Sequence, residues 1–267
     1  IADIACGSGV FLEEAFDYLV KYCESWKKKN QKDYLVELSD SNRKLPLEDK
    51  KAILLSCIFG VDIDVHAVEV SKFSLLIKLI ENETEPSVAA SMPILPNLDE
   101  NIKFGNSLVE EEKVQHLSEY DYLLVSPFSW KQINGGNKFS AIIGNPPYVK
   151  TEDMHSLLPD CEFDYYVNNF TSPHKQFDKY FVFIEQAINK TVENGRVEMI
   201  VPNKFFKIET GKKLQELLAS NQYVESIDDF GDSQIFPEQT IYSCILCLNK
   251  TKQENKTKRR KKNNKEE

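Results

Sequence analysis

No apolar run in the 267 residues approaches the ~20 needed to cross a bilayer. No signal-peptide pattern opens the chain, so neither a membrane partner nor export is expected. Histidine is scarce, and His66, His116, His155 and His174 are too scattered to resemble a metal site. Six cysteines (Cys6, Cys23, Cys57, Cys161, Cys244 and Cys247) follow no disulfide-scaffold spacing, which suits a reducing cytoplasm. The single CxxC, Cys244 to Cys247, lies inside the apolar run YSCILCL and reads as buried strand thiols rather than zinc or redox chemistry. Phosphate signatures are also missing. Position 12 is Leu12, which breaks G-x-G-x-x-G after the first glycine turn, and there is no GxxxxGK[ST] loop. A pyrophosphate ligand is therefore not favoured.

Hydrophobic residues make up 41% and charged residues 28%, enough for one large α/β domain or two small ones. Net charge is −9 and unevenly spread: residues 250–267 hold nine Lys/Arg and three Glu, leaving −15 for residues 1–249. That basic tail has no periodicity and reads as a disordered segment or linker. An acidic body means that any nucleic-acid contact is local or comes from another part. The chain starts at Ile1, inside an apparent strand and without Met, so a piece of a longer protein is expected.

Short apolar runs alternate with stretches of helical period, which predicts βα units and a mostly parallel sheet. IADIA is read as the first strand, followed by a helix with the stripe Phe11, Leu12, Ala15, Phe16, Leu19 and Val20. Residues 27–46 are read as an insertion, and 48–57 as a short helix. IFGVDID is a strand, and 66–80 a helix with apolar Val68, Phe73, Leu75, Leu76 and Leu79. NIKFGN is a strand, 107–138 an irregular insertion, FSAIIGN a strand and 151–176 a loop. Residues 178–192 are read as a helix that Gly195 stops, 196–202 as a strand and 211–220 as a helix. YVESIDDF and TIYSCILCLNK are read as closing strands.

Two strand ends carry chemistry. The first runs Asp3-Ile-Ala-Cys-Gly7-Ser8-Gly9 directly into a helix, where glycines let the backbone approach a ligand. The second ends Gly60-Val-Asp62-Ile-Asp64, where a carboxylate can take two ribose hydroxyls. Asp64 has a plainer role open to it as the N-cap of the next helix. A nucleoside joined to an amino acid fits these ends, which points to S-adenosyl-L-methionine, with Asp62 on the ribose and Asp3 and the turn on the amino-acid end. The third feature is the stiff segment Asn145-Pro146-Pro147-Tyr148. Two prolines there remove two backbone donors and fix two φ angles between an amide and an aromatic ring.

DIACGSGVFLEEA, GVDIDVHAVEVSK, FGNSL, IIGNPPYV, DKYFVFIEQAI and GRVEMIVPNKFF stand in one order over residues 1 to about 250. In this order the chain resembles the N6-adenine DNA methyltransferases, and more narrowly the methylase region of the type IIG restriction–modification enzymes. The resemblance implies a Rossmann-like methyltransferase sheet, mostly parallel with an antiparallel closing strand. It implies cofactor contacts at Asp3, Ala5, Cys6, Gly7, Gly9, Asp62, Ile63, Asn106, Ser107 and Phe183. Core packing remains open for Phe183. Asn106 stands where many relatives carry Asp, and Ile4 replaces a frequent Pro.

An aromatic amino nitrogen is a poor nucleophile because its lone pair is delocalised into the ring. Two fixed acceptors, the Asn145 oxygen and the Pro146 carbonyl, would draw that lone pair toward the methyl, and Pro147 would keep them in place. Tyr148 would stack on a base flipped out of duplex DNA, and by resemblance Phe236 on its other face, a core position before a proline turn remaining open for Phe236.

The implied layout is a catalytic domain over 1–249 and a basic tail, 250–267, leading to a target-recognition domain. The cofactor-covering segment that precedes DIACGSG in the family, and a nuclease PD…(D/E)xK pattern, are not found. Methylation of protein glutamine or of RNA, or a non-catalytic binding scaffold, are the alternatives.

Overall fold

The structure, a computed structural model, describes residues 1–31, 36–39, 42–84, 93–231 and 242–251. Strands among them are β1 (Ala2–Asp3), β2 (Val36–Ser39), β3 (Asn42–Lys44), β4 (Phe59–Asp62), β5 (Ile102–Phe104), β6 (Asn106–Glu110), β7 (Pro127–Phe128), β8 (Phe139–Gly144), β9 (Thr191–Pro202), β10 (Val224–Asp229) and β11 (Ser243–Asn249). Helices are α1 (Val10–Asn30), α2 (Leu47–Cys57), α3 (Val65–Ile80), α4 (Glu119–Val125), α5 (Thr151–Leu157), α6 (Asp160–Asn169), α7 (Lys179–Lys190) and α8 (Lys212–Ser220).

Seven strands form one sheet in the order β10-β11-β9-β8-β1-β4-β5. Every pairing from β9 to β5 is parallel, and β11 runs antiparallel to both β9 and β10. Parallel strands must be covered on both faces. Accordingly Leu12, Phe16, Leu54, Leu75 and Leu79 of α1–α3 pack in one apolar cluster. Ala2, Ile4, Phe59 and Val61 join α7 and α8 in the other. The first strands end together, so the turns after β1, β4 and β8 meet at one edge.

α7 is buried along Lys179–Ile188, and its polar side chains are paired as burial demands. Glu185 accepts from the Thr171 and Ser172 amides at 2.9 and 2.8 Å, and Gln186 donates to the Ser107 carbonyl at 2.9 Å.

Some elements differ from the sequence reading. Residues 151–176, read as a loop, hold α5 and α6, because Glu162, Tyr165 and Tyr166 bury one helical stripe of α6. Gly195 does not stop a helix: α7 ends at Lys190 and β9 begins at Thr191. A Cβ at Gly195 would stand 2.5 Å from Thr191 Cγ2 and 2.9 Å from the Ser140 carbonyl, so close passage of chain explains the glycine. Phe73 is 64% exposed, since it lies two residues, about half a turn, from buried Leu75. Within 27–46, α1 continues to Asn30 and β2 pairs antiparallel with β3. Within 107–138, β6 pairs with β7, and Phe128 packs edge-on to Trp130 with ring centroids 5.1 Å apart.

Candidate functional site

The turn after β1 is shaped by packing. Gly9 has φ 89°, and a Cβ there would meet Ser71 Oγ at 2.5 Å and Ser71 Cα at 3.2 Å. Only glycine lets the start of α1 sit this close to α3. The Gly7 amide donates to Asp62 Oδ2 at 2.8 Å, which ties the turn to the end of β4. Asp62 Oδ1 accepts from the Asp64 amide at 2.9 Å, whereas Asp64 caps α3 by accepting from the His66 amide at 2.8 Å. The two acids thus have separate jobs: Asp62 faces the turn and Asp64 is spent on the helix.

Asp3 is buried and accepts from the Ala5 amide at 2.9 Å. Burial pushes its carboxyl up to about 7, and the charge of Asp62 adds to the rise. A Cβ at Gly144 would stand 2.7 Å from Asp3 Oδ1, so β8 ends in glycine where it passes this carboxyl. Cys6 is buried and its thiol is raised by that burial, which leaves it neutral and unsuited as a nucleophile.

The elbow follows Gly144. The Tyr148 hydroxyl donates to Asn145 Oδ1 and lies 2.9 Å from the Ile200 carbonyl. Its half-buried ring meets Tyr180 edge-on at 5.9 Å, and burial raises the hydroxyl so that it stays a donor. The exit of the elbow is anchored to α7, with the Lys179 amide donating to the Val149 carbonyl at 2.8 Å.

These ends enclose a cleft of about 300 Å³. Of the residues named from sequence, Ala5, Asp62, Ile63, Asn106, Ser107, Asn145, Pro147 and Phe183 line it. Asp3, Cys6, Gly7, Gly9, Pro146 and Tyr148 stand outside the lining; Gly7 reaches it through Asp62, and Pro146 and Tyr148 through Asn145 and Pro147. Phe236 lies outside the described residues. The Ser107 hydroxyl donates to the Ile4 carbonyl at 2.5 Å and is therefore spent on the fold. Asn106 Oδ1 accepts from the Leu108 amide at 3.1 Å, and its buried Nδ2 has no hydrogen-bond partner.

Sequence reasoning passed over Gly105 and Lys179, which also line the cleft, and gave Ile4, a further lining residue, no contact role. Lys179 had a signal: it precedes Phe183 by one helical turn on the same face. Cys244 and Cys247 are three apart on β11 and so face opposite sides. The six cysteines are free, and no metal-holding group occurs among the described residues. No described helix is long and apolar enough to cross a membrane.

A family model described as Eco57I restriction-modification methylase matches residues 56–236. The type II restriction enzyme and methyltransferase RM.Eco57I of Escherichia coli is 42% identical over 255 residues, 95% of this chain and 25% of that protein. The adenine-specific methyltransferase PglX of Streptomyces coelicolor is 24% identical over 241 residues, 80% of this chain and 17% of its own length. The chain thus spans a quarter or less of these relatives. Among solved structures, a nuclease-deletion mutant of the Type ISP restriction-modification enzyme LlaGI, in complex with a DNA substrate mimic, shares the fold. Its TM-score is 0.62 at 15% identity, over 95% of this chain and 20% of that one.

Proposed function

The chain belongs to the Eco57I restriction-modification methylase family, and from that premise we propose that it methylates the exocyclic amino group of adenine in specific DNA sequences. The setting is a restriction–modification or phage-defence system, the methyl donor is S-adenosyl-L-methionine, and the partner is duplex DNA with the target adenine flipped out. One observation carries the reading: Asn145 and Pro147 share a cleft with Asp62, Asn106 and Phe183. One acceptor for a target amine, Asn145, and the wall for a cofactor are neighbours.

The residues present fit the cofactor. Asp62 would take the ribose hydroxyls from the end of β4. Asp3, buried with its carboxyl raised to about 7, would gain most from a cation, which the amino-acid end supplies. Ala5, Cys6, Gly7 and Gly9 would present backbone near that end, Ile63 and Ser107 would frame the cleft, and Phe183 would pack on the purine. When bound, the cofactor supplies an electrophilic methyl on a sulfonium.

The protein's own part is positioning. Asn145 Oδ1 and the Pro146 carbonyl accept the two hydrogens of the target amine, so its lone pair localises toward the methyl. The Tyr148 hydroxyl holds Asn145 Oδ1, and an amide oxygen has a second lone pair for the incoming amine. Tyr148 and Phe236 would stack on the two faces of the flipped base. Residues 1–249 would form the catalytic domain, and the basic tail, 250–267, would lead to the recognition part of the parent protein.

Methyl-labelled cofactor offered with duplex DNA, RNA and a glutamine-containing release factor tests this reading. The label is expected on adenine of duplex DNA. Label on RNA or glutamine alone would favour another methyltransferase class, and no transfer by the intact parent protein would indicate a scaffold.

A further inference from the structure

Lys179 lines the cleft together with Ile4, Ile63 and Phe183, and it is the one basic residue among those lining it. The residue is only 9% exposed. A buried ammonium has to be paired or hydrogen-bonded, and its partner here is Glu162, 2% exposed, at 3.3 Å. The same Glu162 oxygen accepts from the Tyr166 hydroxyl, and the Tyr166 ring lies 5.5 Å from the Lys179 nitrogen. One carboxylate oxygen thus serves two donors, and an ammonium has three N–H groups to place. Among the described residues no other side chain or carbonyl accepts from Lys179 Nζ.

Asn106, also in the wall, has its oxygen engaged by the Leu108 amide, and its buried Nδ2 is left without a hydrogen-bond partner. Both of these lining residues therefore carry N–H groups that no acceptor of the described fold takes up. A purine offers ring nitrogens that accept and one amino group that donates. Donors in the wall match the ring nitrogens.

We propose that Lys179 is a specificity-determining residue for the cofactor, donating a charge-assisted hydrogen bond to a ring nitrogen of its purine. Glu162 and Tyr166 act as positioning residues that hold the ammonium at the height of Phe183, one turn along α7. The inference rests on the cofactor reading above and adds the atom by which the purine is selected.

Calorimetry on the full chain with S-adenosylhomocysteine and its 1-deaza, 3-deaza and 7-deaza analogues tests it. Each analogue replaces one ring nitrogen with C–H. The wild type is expected to bind one of the three about tenfold more weakly than the parent ligand, the size of a charge-assisted bond. The double variant Lys179→Met/Glu162→Gln removes the ammonium without stranding a buried carboxylate. It is expected to lose about tenfold for S-adenosylhomocysteine and nothing further for that one analogue. Glu162→Gln alone keeps an acceptor for the ammonium but not its counter-charge, and should weaken the discrimination without abolishing it. Discrimination that persists in the double variant, or equal losses for all four ligands, would overturn the assignment. So would a wild type that ignores every ring nitrogen, a result that needs no variant to fold. Failure of the wild type to bind S-adenosylhomocysteine at all would overturn the cofactor reading together with this one.

Discussion

At the scale of single residues, the cleft divides labour between pairs that the sequence sets side by side. Asp62 and Asp64 are two residues apart, yet one meets the Gly7 amide and the other caps α3. Asp62→Ala should lower cofactor affinity roughly ten- to a hundredfold, the value of a charge-assisted bond of about 1.5–3 kcal/mol. Asp64→Ala should instead cost ~1 kcal/mol of stability, as loss of an N-cap does, with affinity little changed. Calorimetry and thermal melts on both variants separate these outcomes. Asn145→Ala should leave cofactor binding near wild type and lower methyl transfer by two or more decades, roughly the effect of removing one oriented partner at a reacting centre. Tyr148→Phe removes the hydroxyl that holds Asn145 but keeps the ring face, so much of the activity should survive. Tyr148→Ala loses stacking worth ~1–3 kcal/mol, and 2-aminopurine fluorescence at the target position would report the failure to hold the flipped base.

Asp3 makes a pH-dependent prediction. Its carboxyl titrates near 7 when folded, against an ordinary value of 3.8. The folded state therefore binds the proton more tightly, and stability contributed by the protonated acid is fully present below about 4. It is lost as pH rises to about 7, a difference of ~4 kcal/mol at most. The cofactor's ammonium favours the ionised acid, so S-adenosylhomocysteine should bind more tightly as pH rises through 7. Asp3→Asn should flatten both profiles, which melts and calorimetry between pH 5 and 9 would show.

At the scale of elements, the site exists because three strand ends are brought level and three turns are packed hard against their neighbours. Gly9→Ala would force a left-handed φ on alanine and drive its Cβ into Ser71. The expected cost is ~1–3 kcal/mol of stability, read as a lowered melting temperature, with α1 shifted away from the cleft. Helix α7 shows the limit of pattern reading. Its apolar residues announce a buried helix, but its polar ones are explained only by partners on other elements. Glu185 takes the amides of residues 171 and 172, Gln186 takes the Ser107 carbonyl, and Lys179 takes Glu162. Likewise α6 was hidden between prolines in a stretch rich in aromatics, and its buried Tyr165–Tyr166 face is evident only once β6 and α7 lie beside it.

At the scale of the whole molecule, charge would govern the proposed encounter with DNA. The −15 carried by residues 1–249 repels phosphate, and the compensating charge is concentrated after residue 249. Lys250 is already committed to the body, since its ammonium donates to the Ile188 and Thr191 carbonyls at 3.0 and 2.9 Å. Removal of the charge run is thus best made after Thr251. The chain should bind duplex DNA weakly, with a shallow dependence on salt that becomes shallower still without residues 252–267. Fluorescence anisotropy at several salt concentrations would measure the slope. Tight sequence-specific binding by this chain would contradict the layout.

The sequence by itself determined the alternation of the main βα units, the glycine turn, the carboxylate at the end of β4 and the proline-stiffened elbow. These are legible because local chemistry fixes them: period, φ restriction and missing donors act within a few residues. Tertiary structure alone decided that the Gly7 amide meets Asp62 and that residues 151–176 fold as α5 and α6. It alone buried Asp3 beside Gly144, turned the Asn106 oxygen toward Leu108, and put Lys179 into the wall beside Phe183. Each of those outcomes depends on which atoms from distant segments compete for one hydrogen bond or one patch of solvent, and that competition is settled only when the sheet brings the segments together.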